Sequence, residues 1–129
     1  MEKNSNKKII WLGRVISLLA LLPFLMSAIM KFIGVPQVTQ GMEHFGFPNN
    51  LIIVLAILEI LCVILYAIPV TSVLGAILFT GYIGGAICTH LRVGEHIYLQ
   101  TALGILVWLG LYLRDGRIRE LIPLRKKSL

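Results

Sequence analysis

Apolar residues fill four long stretches of this chain, about Ile9–Phe32, Leu51–Val70, Val70–Thr89 and Ile97–Leu113. Polar and charged positions collect at the two ends and in the joints between stretches. Each stretch is close to the ~17–25 residues that a helix needs to cross the hydrocarbon core of a bilayer. Helices are expected there, because a spanning segment must satisfy its backbone N–H and C=O groups without water. The predicted fold is all-α, an integral membrane four-helix bundle with up-down-up-down connections. A water-soluble domain of this hydropathy would expose far too much apolar surface.

The joints are marked by turn chemistry. Residues 1–8 read as a polar cytoplasmic leader, residues 9–114 as the transmembrane domain, and residues 115–129 as a basic cytoplasmic tail. Pro23 should kink the first helix, with Ser17 and Ser27 placed to take up the freed backbone groups. In the longest joint, Gly34–Asn50, Val38, Met42 and Phe45 recur at helical spacing and predict a short helix in the membrane interface. Gly46-Phe47-Pro48 ends it, and Asn49 or Asn50 is the expected cap of the next helix. Pro69 followed by Thr71 and Ser72 predicts a tight hairpin between the second and third spans. Gly116 suits the position just past the last span. Arg117–Leu124 reads as a short surface helix stopped at Pro123.

The charge pattern sharpens this topology. The chain carries twelve Lys and Arg against six Asp and Glu. Lys3, Lys7, Lys8 and Arg14 flank the first stretch, and Arg114, Arg117, Arg119, Arg125, Lys126 and Lys127 follow the last. Only Lys31 and Arg92 fall on the opposite side. The positive-inside rule then puts both termini in the cytoplasm of a multi-pass inner-membrane protein. So distributed, the basic residues set topology and lie against anionic headgroups, which argues for the lipid bilayer as partner and against nucleic acid. The first stretch is too long for a signal-peptide core, and Ser27-Ala28-Ile29-Met30-Lys31 offers no small-residue cleavage site.

One carboxylate, Glu59, sits inside a predicted span. A charge at bilayer depth costs on the order of 2.5 kcal/mol or more, so it should face the interior with a partner. Cys62 and Tyr66 share its helical face. At ~1.5 Å per residue, Tyr82 on the third span lies level with Glu59, and Lys31 can reach toward it by bending its long stem inward. His90 and Arg92 close the third span beside Gln100, with His44, Glu43, Glu95 and His96 at the same height. The candidate site is therefore Lys31, Glu59, Tyr82, His90 and Arg92. Three roles are open to it: a structural ion pair that fixes helix register, a pocket for the polar head of a quinone or lipid, or a proton relay. Gly81, Gly84 and Gly85 fall in small-residue rows that predict close helix packing, with a close backbone approach to a ligand as the alternative. No metal site is expected, since the histidines lack ligand spacing, and no catalytic or cofactor motif is present. Cys62 and Cys88 differ too much in depth to form a disulfide.

Four segments together resemble the DoxX-like family of small four-span bacterial membrane proteins: Ser27-Ala28-Ile29-Met30-Lys31-Phe32, Gly46-Phe47-Pro48, Leu58-Glu59-Ile60 and the run from Gly81 to Arg92. The last is similar to the family's GYxGGAxxTHxR segment and is the most specific. The resemblance implies a link to quinone-associated oxidation of sulfur compounds or to other membrane redox complexes. This chain lacks the cysteine pair that a thiol-exchanging relative would use. The resemblance therefore implies an accessory or quinone- or lipid-associated subunit of a membrane redox system, holding a non-covalent quinone and meeting a redox partner protein. A small proton-coupled transporter or a purely structural subunit is the alternative. A homo-oligomer is compatible with all of these.

Overall fold

The computed structural model describes the backbone of residues 2–127 and the side chains from Asn4 to Lys127. Met1, Ser128 and Leu129, the outermost residues of the expected leader and tail, lie outside the described residues, as does the side chain of Lys3. The chain forms α1 (Glu2–Ile33), α2 (Pro36–His44), α3 (Asn49–Ala67), a single 3-10 turn (Pro69–Thr71), α4 (Ser72–Arg92), α5 (Tyr98–Arg114) and α6 (Gly116–Leu121). There is no strand among the described residues. Three segments, Asn4–Ile33, Asn49–Ala67 and Pro69–Arg92, are long and apolar enough to cross a membrane. Helix α5 has the same apolar character over 17 residues.

The long helices alternate in direction. α1 packs against α3 and α5, and α4 packs against the same two. One end of the assembly carries the termini and the α3–α4 hairpin; the other carries α2 and the α4–α5 joint. Phe24, Tyr66, Phe79, Ile83, Val107 and Leu111 fill the interior, with the Phe24 and Phe79 rings 4.6 Å apart. On α3 the buried positions are Ile52, Ala56, Glu59, Cys62 and Tyr66, a single stripe at helical spacing. The remaining faces are covered by exposed Leu18, Leu22, Met26, Ile57, Leu61, Ile64 and Ile77. A contiguous apolar exterior of this kind is stable only against lipid tails.

Helix–helix approach rests on glycines other than those expected. A Cβ on Gly75 would overlap the Tyr66 backbone, and one on Gly110 would overlap the Ser17 hydroxyl. Gly13 is equally tight against Gly110 and Arg114. By contrast, a Cβ on Gly81, Gly84 or Gly85 meets nothing within 4 Å. Those three residues do not pack helices. Their rows face open space: Gly81 and Gly85 line one cavity of α4 and Gly84 another. A periodic row of small residues specifies a surface without side chains, and says nothing about what fills it.

The joints differ in detail from the pattern. α1 is already helical at Glu2, so the described part of the leader is its first turn or two. Helix continues through Pro23, and Ser17 and Ser27 are engaged with other helices rather than with the backbone near the proline. Pro48, not an asparagine, occupies the α3 cap. Thr71 occupies the α4 cap position but makes no side-chain capping bond; its hydroxyl and that of Ser72 donate instead to the carbonyls of Leu65, Tyr66 and Ile68 at the end of α3. Gly116 is the first residue of α6, and Asp115 caps it by accepting from the Arg117 backbone N–H. Gly46, with φ +84°, turns the chain from α2 back onto α3, a conformation that an L side chain resists.

Candidate functional site

Lys31 is four residues beyond Ser27, so the two lie on one face of α1. That face meets the interior stripe of α3 at Glu59. The Lys31 ammonium lies 2.7 Å from Glu59 Oε2, and the two side chains are only 4% and 3% exposed. Ser27 bridges them, accepting from Lys31 at 2.5 Å and donating to Glu59 at 3.3 Å. Tyr82 from α4 and Cys62 from α3 are the other polar neighbours of this carboxylate. Removing two charges from water is costly, and only a short, hydrogen-bonded contact of this kind offsets it. The structure thus joins Lys31, Glu59 and Tyr82 as the sequence suggests. Ser27 is the member that sequence reasoning missed, and its i, i+4 offset from Lys31 was the signal that could have found it.

His90 and Arg92 are not part of that cluster. His90 Nδ1 lies 2.7 Å from the Ala86 carbonyl, which accepts its proton, so in the neutral ring Nε2 accepts from the Gln100 amide at 3.0 Å. The Phe45 ring packs on it at 4.6 Å. His44 and His90 flank the two oxygens of Glu95, at 3.0 and 4.0 Å. Arg92 donates to the Phe45 carbonyl and so ties the end of α2 to the end of α4. Among the described residues no group of three or more His, Cys, Asp or Glu is arranged to hold a metal ion, and both cysteines are free.

Between α2 and α4 lies a cavity of about 340 Å³. Met42, Phe45 and Phe47 roof it, Leu55 contributes from α3, and Gly81, Tyr82, Gly85 and His90 form the α4 wall. The glycines create the space, the three apolar residues from the α2 region cover it, and Tyr82 and His90 supply polar edges. Lys31, Glu59 and Arg92 do not line it; Glu59 lies behind Tyr82 instead. A wider groove of about 590 Å³ runs between α4 and α5 past Ile83, Ile87, Trp108 and Tyr112. Its walls are almost wholly apolar, which is the character of a lipid-facing furrow. The smaller cavity combines an apolar roof with placed polar groups, the usual make-up of a small-molecule site.

At the terminal end a second polar network, also missed by sequence reasoning, holds α1, α3 and α5 together. The Tyr66 hydroxyl donates to the Val107 carbonyl at 2.6 Å and lies 3.1 Å from the Ser17 hydroxyl. The Arg114 guanidinium stacks 4.7 Å over the Tyr66 ring and donates to the Tyr66 carbonyl at 3.1 Å.

A chain of long apolar helices with a lipid-compatible exterior and a buried ion pair is a multi-pass helical membrane protein. It belongs to the DoxX-like family, whose model matches residues 15–111, from the middle of α1 to the last turn of α5. No curated protein and no solved structure matches the chain.

Proposed function

We propose that this DoxX-like protein crosses the inner membrane four times with both termini in the cytoplasm, and serves as an accessory subunit of a membrane redox system. In this reading the cavity under α2 holds a non-covalent amphipathic molecule of quinone or lipid type. Helix α5 is the fourth span: at ~1.5 Å per residue its 17 residues reach about 25 Å, and it lies antiparallel along α1. The observation that carries the ligand reading is the cavity itself, roofed by Met42, Phe45 and Phe47 and edged by Tyr82 and His90. A flat ring can lie against the glycine wall while its oxygens meet the Tyr82 hydroxyl, and its apolar tail can leave toward the bilayer. Lys31 and Glu59 act as the fixed backing of Tyr82 rather than as ligand groups.

The test is chemical. Solvent extraction of the protein purified in mild detergent should release a quinone or a discrete lipid in near-stoichiometric amount. Gly81→Leu with Gly85→Leu places side chains into the cavity without touching a helix contact, so the double variant should fold and lose that molecule. Unchanged ligand content in a folded double variant would refute the assignment.

A further inference from the structure

The end of the molecule opposite the α2 cavity holds a second, differently built cavity of about 280 Å³. Arg14 of α1, Arg114 of α5 and Arg117 of α6 converge on it, with Asp115 as the one carboxylate in its wall and Ile10 and Leu111 as its apolar floor. The α5–α6 joint, which carries Arg114 and Arg117, and the distant first helix, which carries Arg14, thus bring three arginines to one space. Arg114 is held there rigidly by the Tyr66 ring and carbonyl, and its Nε is buried with no hydrogen-bond partner among the described residues. A buried guanidinium N–H without an acceptor is costly, and a negative charge in the adjoining cavity would offset that cost.

Asp115 already shows what such an acceptor does. Its two oxygens take hydrogen bonds from Arg117 Nε at 3.1 Å and from an Arg117 terminal nitrogen at 2.9 Å. That pairing holds the Asp115 carboxyl below the ordinary carboxylate range. One carboxylate against three arginines leaves the cavity strongly positive. Beside it, Trp11 is exposed with the Arg14 guanidinium 6.0 Å from its ring. An exposed tryptophan next to a basic group marks headgroup depth. Basic pockets between spanning helices at that depth suit phosphate headgroups, and arginine suits them best because its planar fork bonds phosphate oxygens in pairs.

We infer that the Arg14–Arg114–Arg117 cavity binds the phosphate of an anionic phospholipid, with the acyl chains lying along the apolar outer faces of α1 and α5. Binding adds hydrogen bonds from the free donors of Arg14 and Arg117 beside the fixed positive charge of Arg114, and leaves the fold otherwise unchanged.

Native mass spectrometry of the detergent-purified protein, mixed in turn with phosphatidylglycerol, phosphatidylcholine and inorganic phosphate, tests this. Arg14 and Arg117 are exposed, so Arg14→Gln with Arg117→Gln should keep its melting temperature and lose about tenfold in phosphatidylglycerol retention. Asp115→Asn keeps a capping side chain for α6 but removes the competing charge, and should raise retention. Wild type should retain phosphatidylglycerol over phosphatidylcholine. Equal retention by wild type and the double variant would overturn the inference. So would equal retention of the two lipids, a fall on Asp115→Asn, or arginine-dependent binding of inorganic phosphate with no lipid retained.

Discussion

Lys31 and Glu59 each bring a charge to a depth where neither could remain alone, and their 2.7 Å contact is the condition for both. Glu59→Gln would leave a buried ammonium without its counter-ion, and should cost up to about 3–5 kcal/mol in denaturation experiments. Combining it with Lys31→Met should recover much of that loss, a coupling that a double-mutant cycle reads directly. Additive losses would mean that the two residues act independently. The glycines divide in the same way. Gly75→Ala pushes a methyl into the backbone of Tyr66 and should destabilise by about 1–3 kcal/mol, whereas Gly85→Ala meets open space and should leave the melting temperature nearly unchanged. At this scale the sequence was informative about which residues are exceptional and less so about what they touch. Glu59 stood out because it was the one carboxylate in a span. The partners of Gly81 and Gly85 did not, because helical periodicity gives a direction around one helix and no account of the neighbour.

Among the elements, α2 is the one whose placement creates the α2–α4 cavity. No residue of α2 is buried, and its position is set by the Gly46 turn, by Phe45 on the His90 ring and by Arg92 on the Phe45 carbonyl. Arg92→Ala should therefore raise hydrogen exchange in Gln37–His44 while leaving α3 and α4 protected; unchanged exchange in α2 would mean that the arginine does not hold it. α6 depends on a single carboxylate cap. Because Asp115 is held ionised below the usual range by Arg117, its stabilising effect is complete above the unfolded-state value near ~3.9 and fades as pH falls through the lower folded-state value. Amide protection of Ile118–Leu121 should follow that course in an acid titration, and protection independent of pH would rule out Asp115 as the cap that matters. The four apolar stretches were legible to within a few residues, since their length and composition leave no other structure in lipid. The caps were not. Thr71 and Ser72 turn their hydroxyls to the carbonyls that the end of α3 leaves free, a tertiary fact, and Pro48 takes the α3 cap position without a side-chain hydrogen bond.

For the molecule as a whole, the two ends have different chemistry. Arginines and lysines crowd the end that carries the termini, while histidines, Glu95 and the α2 roof gather at the other. Reporter domains fused at either terminus should both report the cytoplasm, with a fusion in the α1–α3 joint reporting the opposite side; a split result would mean that α5 does not span. The family rests on the match to its model over residues 15–111, and the helical membrane class on apolar pattern and structure together. The pattern offered a pocket at Tyr82 and His90 as one of three roles but gave neither its roof nor its separation from Lys31 and Glu59, because the cavity arises where α2 folds over a glycine face two helices away. The most direct measurement of its role is photoaffinity labelling with an azido-quinone in membranes, followed by peptide mapping. The account predicts label on Met42–Phe47 and Gly81–His90, abolished by the Gly81→Leu/Gly85→Leu variant. Label spread along the exposed faces of α1 and α5, or confined to the α4–α5 groove and insensitive to that variant, would contradict it.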